Sequence, residues 1–360
     1  ETAPSGITSD RLPRVFASRV LRSACCSRKA SMSSWFSAAA EAPTEASPAA
    51  ALDEAALLLK SFTRDEAELG ARAPLPRLDG FVFVLFIAAQ LALNWALRLI
   101  IARPLANFLL ATPDRPTRAF RRMVVKFSQA CLELLVYGSF ALIGLVIVPS
   151  QPWFWPSKHW WIGFADGGHE VMRDDLRCYY LLYGARYVAG FVNVLLEPKR
   201  KDFVEMLLHH AVTVAVVGIS YLYGWNRVGC VVMLLLDPAD VPLPLAKMFK
   251  YVSDARESRD KKLAQRCTFC ADRVFELFAL VFLVTRIAMY PYVCWSAHVE
   301  ATRYFPKGLP EWTCVALLWT LYGLQCYWFY LIIKVAVRMM ATGRAEDVRS
   351  DDEDDDPKEQ

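Results

Sequence analysis

The sequence predicts an all-α integral membrane protein in which about seven transmembrane helices form a bundle, with disordered segments at the N- and C-termini. Hydrophobic residues make up 55% of the 360 residues, which is more than an ordinary soluble domain carries. Apolar stretches recur along the chain, each near the ~20 residues that a helix needs to cross a bilayer. Lysines and arginines concentrate in alternate loops between these stretches, as in multi-pass membrane proteins.

Seven stretches are long and apolar enough to be predicted as spanning helices. They are residues 81–101, 129–149, 177–196, 203–223, 228–249, 273–295 and 312–336. The third carries Arg186, and the fifth carries Asp237, Asp240 and three prolines. Polar groups and interrupted helices are tolerated at membrane depth only where protein or a water-filled cavity surrounds them. We therefore expect the third and fifth helices to face the interior of the bundle.

The distribution of basic residues predicts the orientation of the bundle. The first–second, third–fourth and fifth–sixth loops are rich in Lys and Arg, whereas the other loops carry few. Short loops rich in Lys and Arg remain in the cytosol. The pattern places the N-terminus outside the cytosol and the C-terminus inside it, in agreement with an odd number of spans.

Composition divides the chain into four regions. Residues 1–78 are expected to be weakly ordered, apart from a short amphipathic helix within residues 53–70. Residues 79–117 comprise the first transmembrane helix and its basic loop, and residues 118–340 form the main transmembrane domain. Residues 341–360 form an acidic cytosolic tail.

Both terminal regions carry a sequence signal. We expect translation to start naturally at Met32; the alternative is that the Arg-rich, acid-poor residues 1–31 are an organelle transit peptide. In the tail, Ser350 is followed by a run of Asp and Glu, a pattern that suits an acidophilic kinase. The alternative is a solvated tail without modification.

Several functional classes are not indicated. The basic residues lie in short loops without a nucleic-acid-binding motif, so we expect no nucleic-acid partner. Cys267 and Cys270 form an isolated CxxC, and only five histidines are present, so no metal site is expected. Cys294 and Cys314 flank one loop and are candidates for a disulfide if that loop is lumenal.

The candidate site combines two adjacent histidines with two aspartates. His209 lies eight residues, about 12 Å of helix, beyond Lys201, and Asp240 lies ten residues, about 15 Å, before Lys250. Because the two helices run in opposite directions, both pairs can meet at one depth. Asp237 and Asp240 are three residues apart and would share a helix face. The histidine side chains diverge by about 100°, so we expect one to face the pocket and the other to support it.

These residue types suit acyl transfer. A neutral imidazole in a dry pocket can accept a proton or attack an activated acyl group, and a carboxylate on its other nitrogen would stabilise the imidazolium. Sequence does not distinguish the base from the nucleophile. The alternative is a buried polar network that only holds two helices together.

One stretch of about fifty residues resembles a known motif. It contains Lys199-Arg200-Lys201-Asp202-Phe203, Glu205-Met206, His209-His210, Thr213, Ser220-Tyr221, Arg227, Gly229, Asp237, Asp240, Ala246-Lys247-Met248 and Tyr251. In order and spacing this is similar to the Lag1 motif of the ceramide synthases, within the wider TLC family. The rest of residues 118–340 resembles that family mainly in hydropathy, which makes the expected bundle TLC-like.

The resemblance implies an endoplasmic-reticulum enzyme that transfers the acyl group of a fatty acyl-CoA to the amine of a sphingoid base, giving ceramide or dihydroceramide. It implies that His209, His210, Asp237 and Asp240 are essential. It also implies no cofactor beyond acyl-CoA as co-substrate, membrane lipids as surroundings, and a homo- or heterodimer. We expect some of Lys199, Arg200, Lys201 and Lys247 to bind the anionic nucleotide of acyl-CoA; the alternative is that these basic residues only set the orientation of the helices in the membrane.

The sequence departs from the family pattern beside the aspartates. Leu236 stands where family members usually have His, and Pro244 stands where they have Glu. These departures keep open a non-catalytic TLC protein that regulates or senses membrane lipids. A seven-span receptor is the other alternative, but it gives no reason for the basic and His-His arrangement.

Overall fold

A computed structural model of the chain describes residues 47–64, 70–111, 117–167, 169, 171–196 and 202–342. In this part the chain forms eleven α-helices and two short strands. The helices are α1 (Pro48–Lys60), α2 (Pro76–Leu97), α3 (Arg103–Leu110), α4 (Arg118–Ile147), α5 (Asp174–Leu196), α6 (Phe203–Leu222), α7 (Asn226–Leu236), α8 (Pro242–Arg256), α9 (Lys261–Phe282), α10 (Tyr290–His298) and α11 (Leu309–Thr342). The strands are β1 (Ala71–Arg72) and β2 (Met172–Arg173), and they pair antiparallel with Ala71 opposite Arg173.

Consecutive helices join into longer rods through short turns of other helix types. A π-helical turn, Arg98–Ala102, connects α2 to α3, and another, Leu283–Met289, connects α9 to α10. A 3₁₀ turn, Asp237–Asp240, connects α7 to α8.

Six of the seven predicted spans coincide with rods that are long and apolar enough to cross a membrane. These rods are Pro76–Leu110, Arg118–Ile147, Phe203–Leu222, Asn226–Arg256, Lys261–Arg303 and Leu309–Met339. The predicted all-α membrane bundle is therefore confirmed. The third span lies in α5, whose 23 residues are long enough but more polar than the six.

The polar character of α5 is explained by its position inside the bundle. It packs against α2 and α6, and its first half is almost entirely buried. Arg177 is 0% exposed and binds Glu54 Oε1 at 2.8 Å. It also binds Asp79, whose second oxygen accepts from the Tyr221 hydroxyl at 2.7 Å. This polar network joins the beginnings of α2 and α5, the end of α6 and helix α1.

The described part of residues 1–78 differs from the expected weak order. Helix α1 runs from Pro48 to Lys60, earlier than the expected amphipathic helix within residues 53–70. It begins with a cap, because the Ser47 hydroxyl accepts from the Ala50 amide at 3.1 Å. Leu58 is fully buried and Glu54 pairs with Arg177, so tertiary contacts order a segment whose composition alone predicts disorder. Residues 1–46, including Met32, lie outside the described residues.

The fifth span is broken as its prolines require. Helix α7 ends at Leu236, the 3₁₀ turn holds Pro238, and α8 starts at Pro242. Proline lacks a backbone donor and crowds the preceding turn, so a continuous α-helix cannot pass through this segment. Because of this break, the side chains of Asp237 and Asp240 point in different directions. They were expected to share one helix face.

The main apolar core lies around α5, α6 and α7 toward the end of the bundle where α1 packs. Smaller apolar clusters join α8, α9 and α11, and join α3, α4 and α8. In this other half of the bundle, the helices leave a large cavity between them.

Candidate functional site

A cavity of about 1310 Å³ lies between α2, α4, α5, α6, α8, α9 and α11. Its walls include His209, His210 and Asp240, and it extends to Lys261 beyond the α8–α9 turn. A volume of this size exceeds that of most drug-binding pockets, so it can hold a large or extended ligand. The structure therefore brings three of the four predicted catalytic residues to one surface.

Helix periodicity explains why α6 and α5 present their polar residues together. On α6, Met206, His209 and His210 follow a three- and four-residue spacing and line the cavity. On α5, Tyr187 and Gly190 have the same spacing and line the facing wall. The two helices pack against each other, so these residues face the cavity inside the bundle.

Both histidines line the cavity, contrary to the expectation that only one would. Their ring centroids are 5.5 Å apart, and the Tyr187 ring lies 5.8 Å from His209 and 5.7 Å from His210. The adjacent α6 positions diverge, but α5 and α11 close around both rings, with Trp328 of α11 lying 5.1 Å from His209.

The two imidazoles have different hydrogen bonding. His210 Nδ1 lies 2.8 Å from the carbonyl oxygen of Met206. A carbonyl only accepts, so this nitrogen carries the hydrogen and Nε2 keeps its lone pair. His209 Nδ1 is buried and has no hydrogen-bond partner within the described chain. Contrary to expectation, His210 is therefore oriented by a backbone carbonyl and not by a carboxylate.

Asp237 lies behind the cavity wall and is 1% exposed. Its Oδ1 accepts from the Tyr183 hydroxyl at 3.1 Å and lies 3.4 Å from Arg186 Nη1. Four aromatic rings surround the Arg186 guanidinium at 4.9 to 5.4 Å, those of Tyr137, Phe140, Tyr183 and Tyr187. Such cation–π contacts stabilise a desolvated guanidinium. Asp237 thus anchors Arg186 and α5, and it supports the site from behind.

Asp240 faces the cavity and pairs with Arg286, with 2.8 Å between Oδ1 and Nη2. Arg286 also donates to the Leu236 carbonyl from Nε at 3.2 Å and Nη2 at 2.7 Å, and to Gln325 at 3.1 Å. This arginine therefore ties the proline break to the π-helical turn and to α11. Sequence reasoning missed Arg286, although an arginine inside the apolar stretch 273–295 was a detectable signal.

A second polar wall was also missed. Glu133 of α4 lines the cavity and accepts from Gln129 Nε2 at 3.1 Å. Gln129 Oε1 in turn accepts from Arg98 Nη2. Asn94 of α2 lies one turn before Arg98 and also lines the cavity. Glu133 lies inside the predicted span 129–149, so a search for ionisable residues at membrane depth would have found it.

The predicted nucleotide-binding residues are only partly described. Lys247 lines the cavity, together with Lys250, Lys261 and Lys334. Lys199, Arg200 and Lys201 lie outside the described residues, as does Ser350 of the acidic tail.

The described residues contain no group of three or more His, Cys, Asp or Glu side chains that could hold a metal ion. Cys294 and Cys314 are both free thiols, so the disulfide considered between them does not form in this structure. Cys267 and Cys270 are likewise free thiols on α9. The cavity therefore offers imidazole, carboxylate, guanidinium and ammonium groups as its chemical resources.

Comparison with known proteins decides the family. The TLC domain matches residues 126–334, which is more than half of the chain and contains both histidines and both aspartates. The chain belongs to the TLC domain family. This TLC protein is 30% identical over 265 residues to ceramide synthase LOH2 of Arabidopsis thaliana, an alignment that covers 70% of the chain and 84% of that relative.

Other relatives of this TLC protein extend the same relationship. Alternaria stem canker resistance protein 1 of Solanum lycopersicum is 28% identical over 300 residues, covering 78% of the chain and 93% of that relative. Human ceramide synthase 5 is 29% identical over 230 residues, covering 63% of the chain and 55% of that protein. The resemblance to the ceramide synthase family, predicted from residues 199–251, is confirmed.

Proposed function

We propose that this TLC protein is an acyl-CoA-dependent ceramide synthase that acts on a sphingoid base. The observation that carries the proposal is the cavity in which His209 and His210 lie side by side and which extends to a lysine-bearing end. A purely structural polar network does not require a cavity of about 1310 Å³ beside it. The family supports the same reading, because several relatives are named ceramide synthases.

In the proposed reaction, the nitrogen of the sphingoid base forms a bond to the acyl carbon, and the bond from that carbon to the CoA sulfur breaks. The base arrives as an ammonium ion and first releases one proton to water, which frees the nitrogen lone pair. The neutral amine then loses a second proton as the new bond forms, and the departing thiolate gains one, so ceramide and free CoA result. One histidine accepts the amine proton and returns it to the sulfur. In the covalent route, the imidazole first attacks the thioester, releases CoA, and is then displaced by the amine.

The aspartates act indirectly in this mechanism. Asp240 fixes Arg286 at the cavity surface, where the guanidinium can donate to the oxyanion that develops on the thioester carbonyl. Asp237 fixes the Arg186 guanidinium by an ion pair. The Tyr187 ring packs on that guanidinium and contacts both histidines. In this proposal the aspartates act through the two arginines and do not bind the cationic amine themselves.

Acyl-CoA is proposed to reach the cavity from the end that holds the α8–α9 turn. Lys247 is proposed to bind its anionic nucleotide together with Lys199, Arg200 and Lys201, while the acyl chain lies among apolar helices. Because basic loops face the cytosol, this end is proposed to be cytosolic, with the N-terminus in the lumen of the endoplasmic reticulum. Dimerisation with a second TLC protein, identical or related, stays a prediction.

The decisive experiment is N-acylation of a sphingoid base by purified protein in detergent across a series of acyl-CoA chain lengths. Wild type should form ceramide, and His209→Ala and Asp240→Asn should lose most of that activity. His298→Ala is the matched control, because His298 is exposed and lies away from the cavity. No product from folded wild type would favour a non-catalytic lipid-regulating or lipid-sensing TLC protein.

The covalent route has its own test. The protein is mixed with acyl-CoA alone, quenched, and digested for mass spectrometry of the peptide that holds both histidines. An acyl adduct on His209 or His210 supports the nucleophilic route. A turnover-competent preparation with no adduct supports general-base catalysis.

A further inference from the structure

Both aspartates of the 3₁₀ turn already have cationic partners. Asp237 Oδ1 lies 3.4 Å from Arg186 Nη1, and Asp240 Oδ1 lies 2.8 Å from Arg286 Nη2. A carboxylate that is paired with a guanidinium has little attraction left for a second cation. The amine of a sphingoid base is protonated at neutral pH, so its capture calls for a different carboxylate on the cavity wall.

Glu133 is such a carboxylate. It lines the cavity from α4, and within the described chain its hydrogen bond comes from Gln129 Nε2 at 3.1 Å, without an ion pair to Lys or Arg. Arg98 binds the opposite end of the same amide, at Gln129 Oε1. The amide therefore holds the guanidinium away from the carboxylate and leaves the charge of Glu133 directed to the cavity.

Asn94 adds an amide group to this wall. Its Oδ1 is buried and has no partner in the part of the chain that the structure describes. Asn94 lies near the end of α2, and Arg98 begins the π-helical turn four residues later. Gln129 and Glu133 are also four residues apart, on α4, so each pair shares a helix face. The hydrogen bond from Arg98 to Gln129 joins the two faces into one polar patch.

The patch is connected to the histidines through packed rings. Tyr137 follows Glu133 by one helical turn and lies 4.9 Å from the Arg186 guanidinium. The Tyr187 ring is 5.2 Å from that guanidinium and contacts both imidazoles. A ligand headgroup at the patch would therefore lie in the same cavity as the reacting histidines.

We propose that the α2–α4 patch of Asn94, Arg98, Gln129 and Glu133 binds the headgroup of the sphingoid base, a long-chain amino diol. Glu133 binds the ammonium group, and the amide groups of Gln129 and Asn94 on the same wall are available to the hydroxyl groups of the headgroup. Acyl-CoA offers no cation and carries several negative charges, which the Glu133 carboxylate repels. The patch thus assigns different parts of the cavity wall to the two substrates, and this assignment rests on the proposed function.

The test compares wild type with Glu133→Gln, which removes the charge and keeps the shape of the side chain. Charge-assisted hydrogen bonds are about twice as strong as neutral ones, so the KM for the sphingoid base should rise about tenfold. The KM for acyl-CoA should stay unchanged. Glu276→Gln is the matched control, because Glu276 pairs with Arg273 on the exposed face of α9.

A second measurement separates this inference from the proposed activity. Two long-chain ligands are compared, an amino diol and an analogue in which a hydroxyl group replaces the amine. Binding of each ligand is measured as the rise in the thermal unfolding midpoint of the protein in detergent. Wild type and Glu133→Asp should prefer the amine, and Glu133→Gln should lose that preference. This readout does not require turnover.

Each outcome has one meaning. An amine preference in wild type that disappears in Glu133→Gln supports the patch, whether or not ceramide forms. A failure to form ceramide would contradict only the proposed function. Full turnover with an unchanged amine preference in Glu133→Gln overturns the patch alone. A rise in the KM for acyl-CoA instead would place this wall on the thioester's route and overturn the assignment. No amine preference in wild type overturns it as well.

Discussion

Gly190 is the closest constraint on the His210 ring. A Cβ added at residue 190 would lie 2.8 Å from His210 Nε2, which is closer than real Cβ contacts allow. The ring is also held by the hydrogen bond from Nδ1 to the Met206 carbonyl. A side chain on α5 at this position would therefore displace the imidazole without removing any reacting group.

We predict that Gly190→Ala lowers the rate of N-acylation by more than about tenfold, because displacement of a reacting group by ~1 Å can cost about a hundredfold. Gly218→Ala is the matched control, since a Cβ there meets nothing within 4 Å. The measurement is turnover number beside the thermal midpoint of each variant. Equal activity in both alanine variants would show that His210 does not need its present orientation.

His169, in the connection between α4 and α5, predicts a pH dependence of stability. Burial, with a smaller contribution from the Arg227 charge, lowers the pKa of the His169 imidazole from 6.5 to about 4. The folded protein thus keeps it neutral while the unfolded chain protonates it below pH 6.5. The associated stability is present above pH 6.5 and is lost as the pH falls toward 4, by about 1.4 kcal/mol per pH unit at most.

The measurement for His169 is the thermal midpoint in detergent from about pH 7 to about pH 4. His169→Gln retains a donor for the Ile162 carbonyl, which His169 Nε2 contacts at 2.9 Å, and should flatten the dependence. His298→Gln, at an exposed position, should leave the slope of the wild type. A slope that survives in His169→Gln would assign the effect to other groups.

At the same scale, the sequence predicted residue types better than directions. His209, His210 and Asp240 reach one cavity, although the helical spacing predicted that only one of the two histidines would face it. Asp237 does not, because the 3₁₀ turn rotates it behind the wall, and the rotation at a proline break depends on packing that spacing does not encode. Arg286 and Glu133 could have been predicted from the sequence by looking for charged residues in every apolar stretch.

At the scale of elements, a buried ion pair holds helix α1 against the bundle. Glu54 of α1 lies 2.8 Å from Arg177 Nη1, and both side chains are buried. Breaking one partner of a buried pair is costly because the remaining charge stays away from water. The contact explains why α1 is ordered despite a composition that favours disorder.

We predict that Glu54→Ala destabilises the protein by about 3 kcal/mol, the lower end for a broken buried pair, because Asp79 still partners Arg177. The readouts are the thermal midpoint and the rate of proteolysis near α1. Asp53→Ala changes the neighbouring, exposed carboxylate and should have little effect. If the two variants behave alike, α1 contributes no stability through this pair.

Helix existence was predictable from sequence because apolar length and turn chemistry are local properties. Helix continuity was predictable only in part, since a π-helical turn at Leu283–Met289 and a 3₁₀ turn at Asp237–Asp240 interrupt stretches that were predicted as single spans. The break at Pro238 had a local cause in the sequence. The π-helical turns have a local signal too, because each is followed two residues later by a proline, Pro104 or Pro291, which lacks the backbone donor of a regular helix. Whether such a proline produces a π-helical or a 3₁₀ turn depends on neighbours that sequence alone does not place.

At the scale of the whole molecule, the status of α5 determines the side on which each terminus lies. Six rods are apolar enough to span, and six crossings would put both termini on one side of the membrane. If α5 also crosses, shielded by the bundle, the termini lie on opposite sides. The alternation of basic loops favours the second arrangement.

We predict that, in sealed microsomes, a tag at the N-terminus resists added protease while a tag at the C-terminus is digested. Detergent should expose the N-terminal tag, which provides the control for protease activity. Digestion of both tags without detergent would mean that α5 does not cross the membrane. The loops on one side of α5 in the sequence would then lie on the opposite face of the membrane from the one proposed.

The π-helical turn that holds Arg286 has a consequence for comparing this chain with others. One extra residue in a helix advances every later side chain by about 100° relative to the earlier ones. The stretch from α9 through α10 therefore carries two inward-facing patterns that are out of phase at Leu283–Met289. In an alignment, a homologue that lacks the extra residue would show a one-residue gap within Leu283–Met289. An arginine at the position of Arg286 in that homologue would then point away from the break in the fifth span.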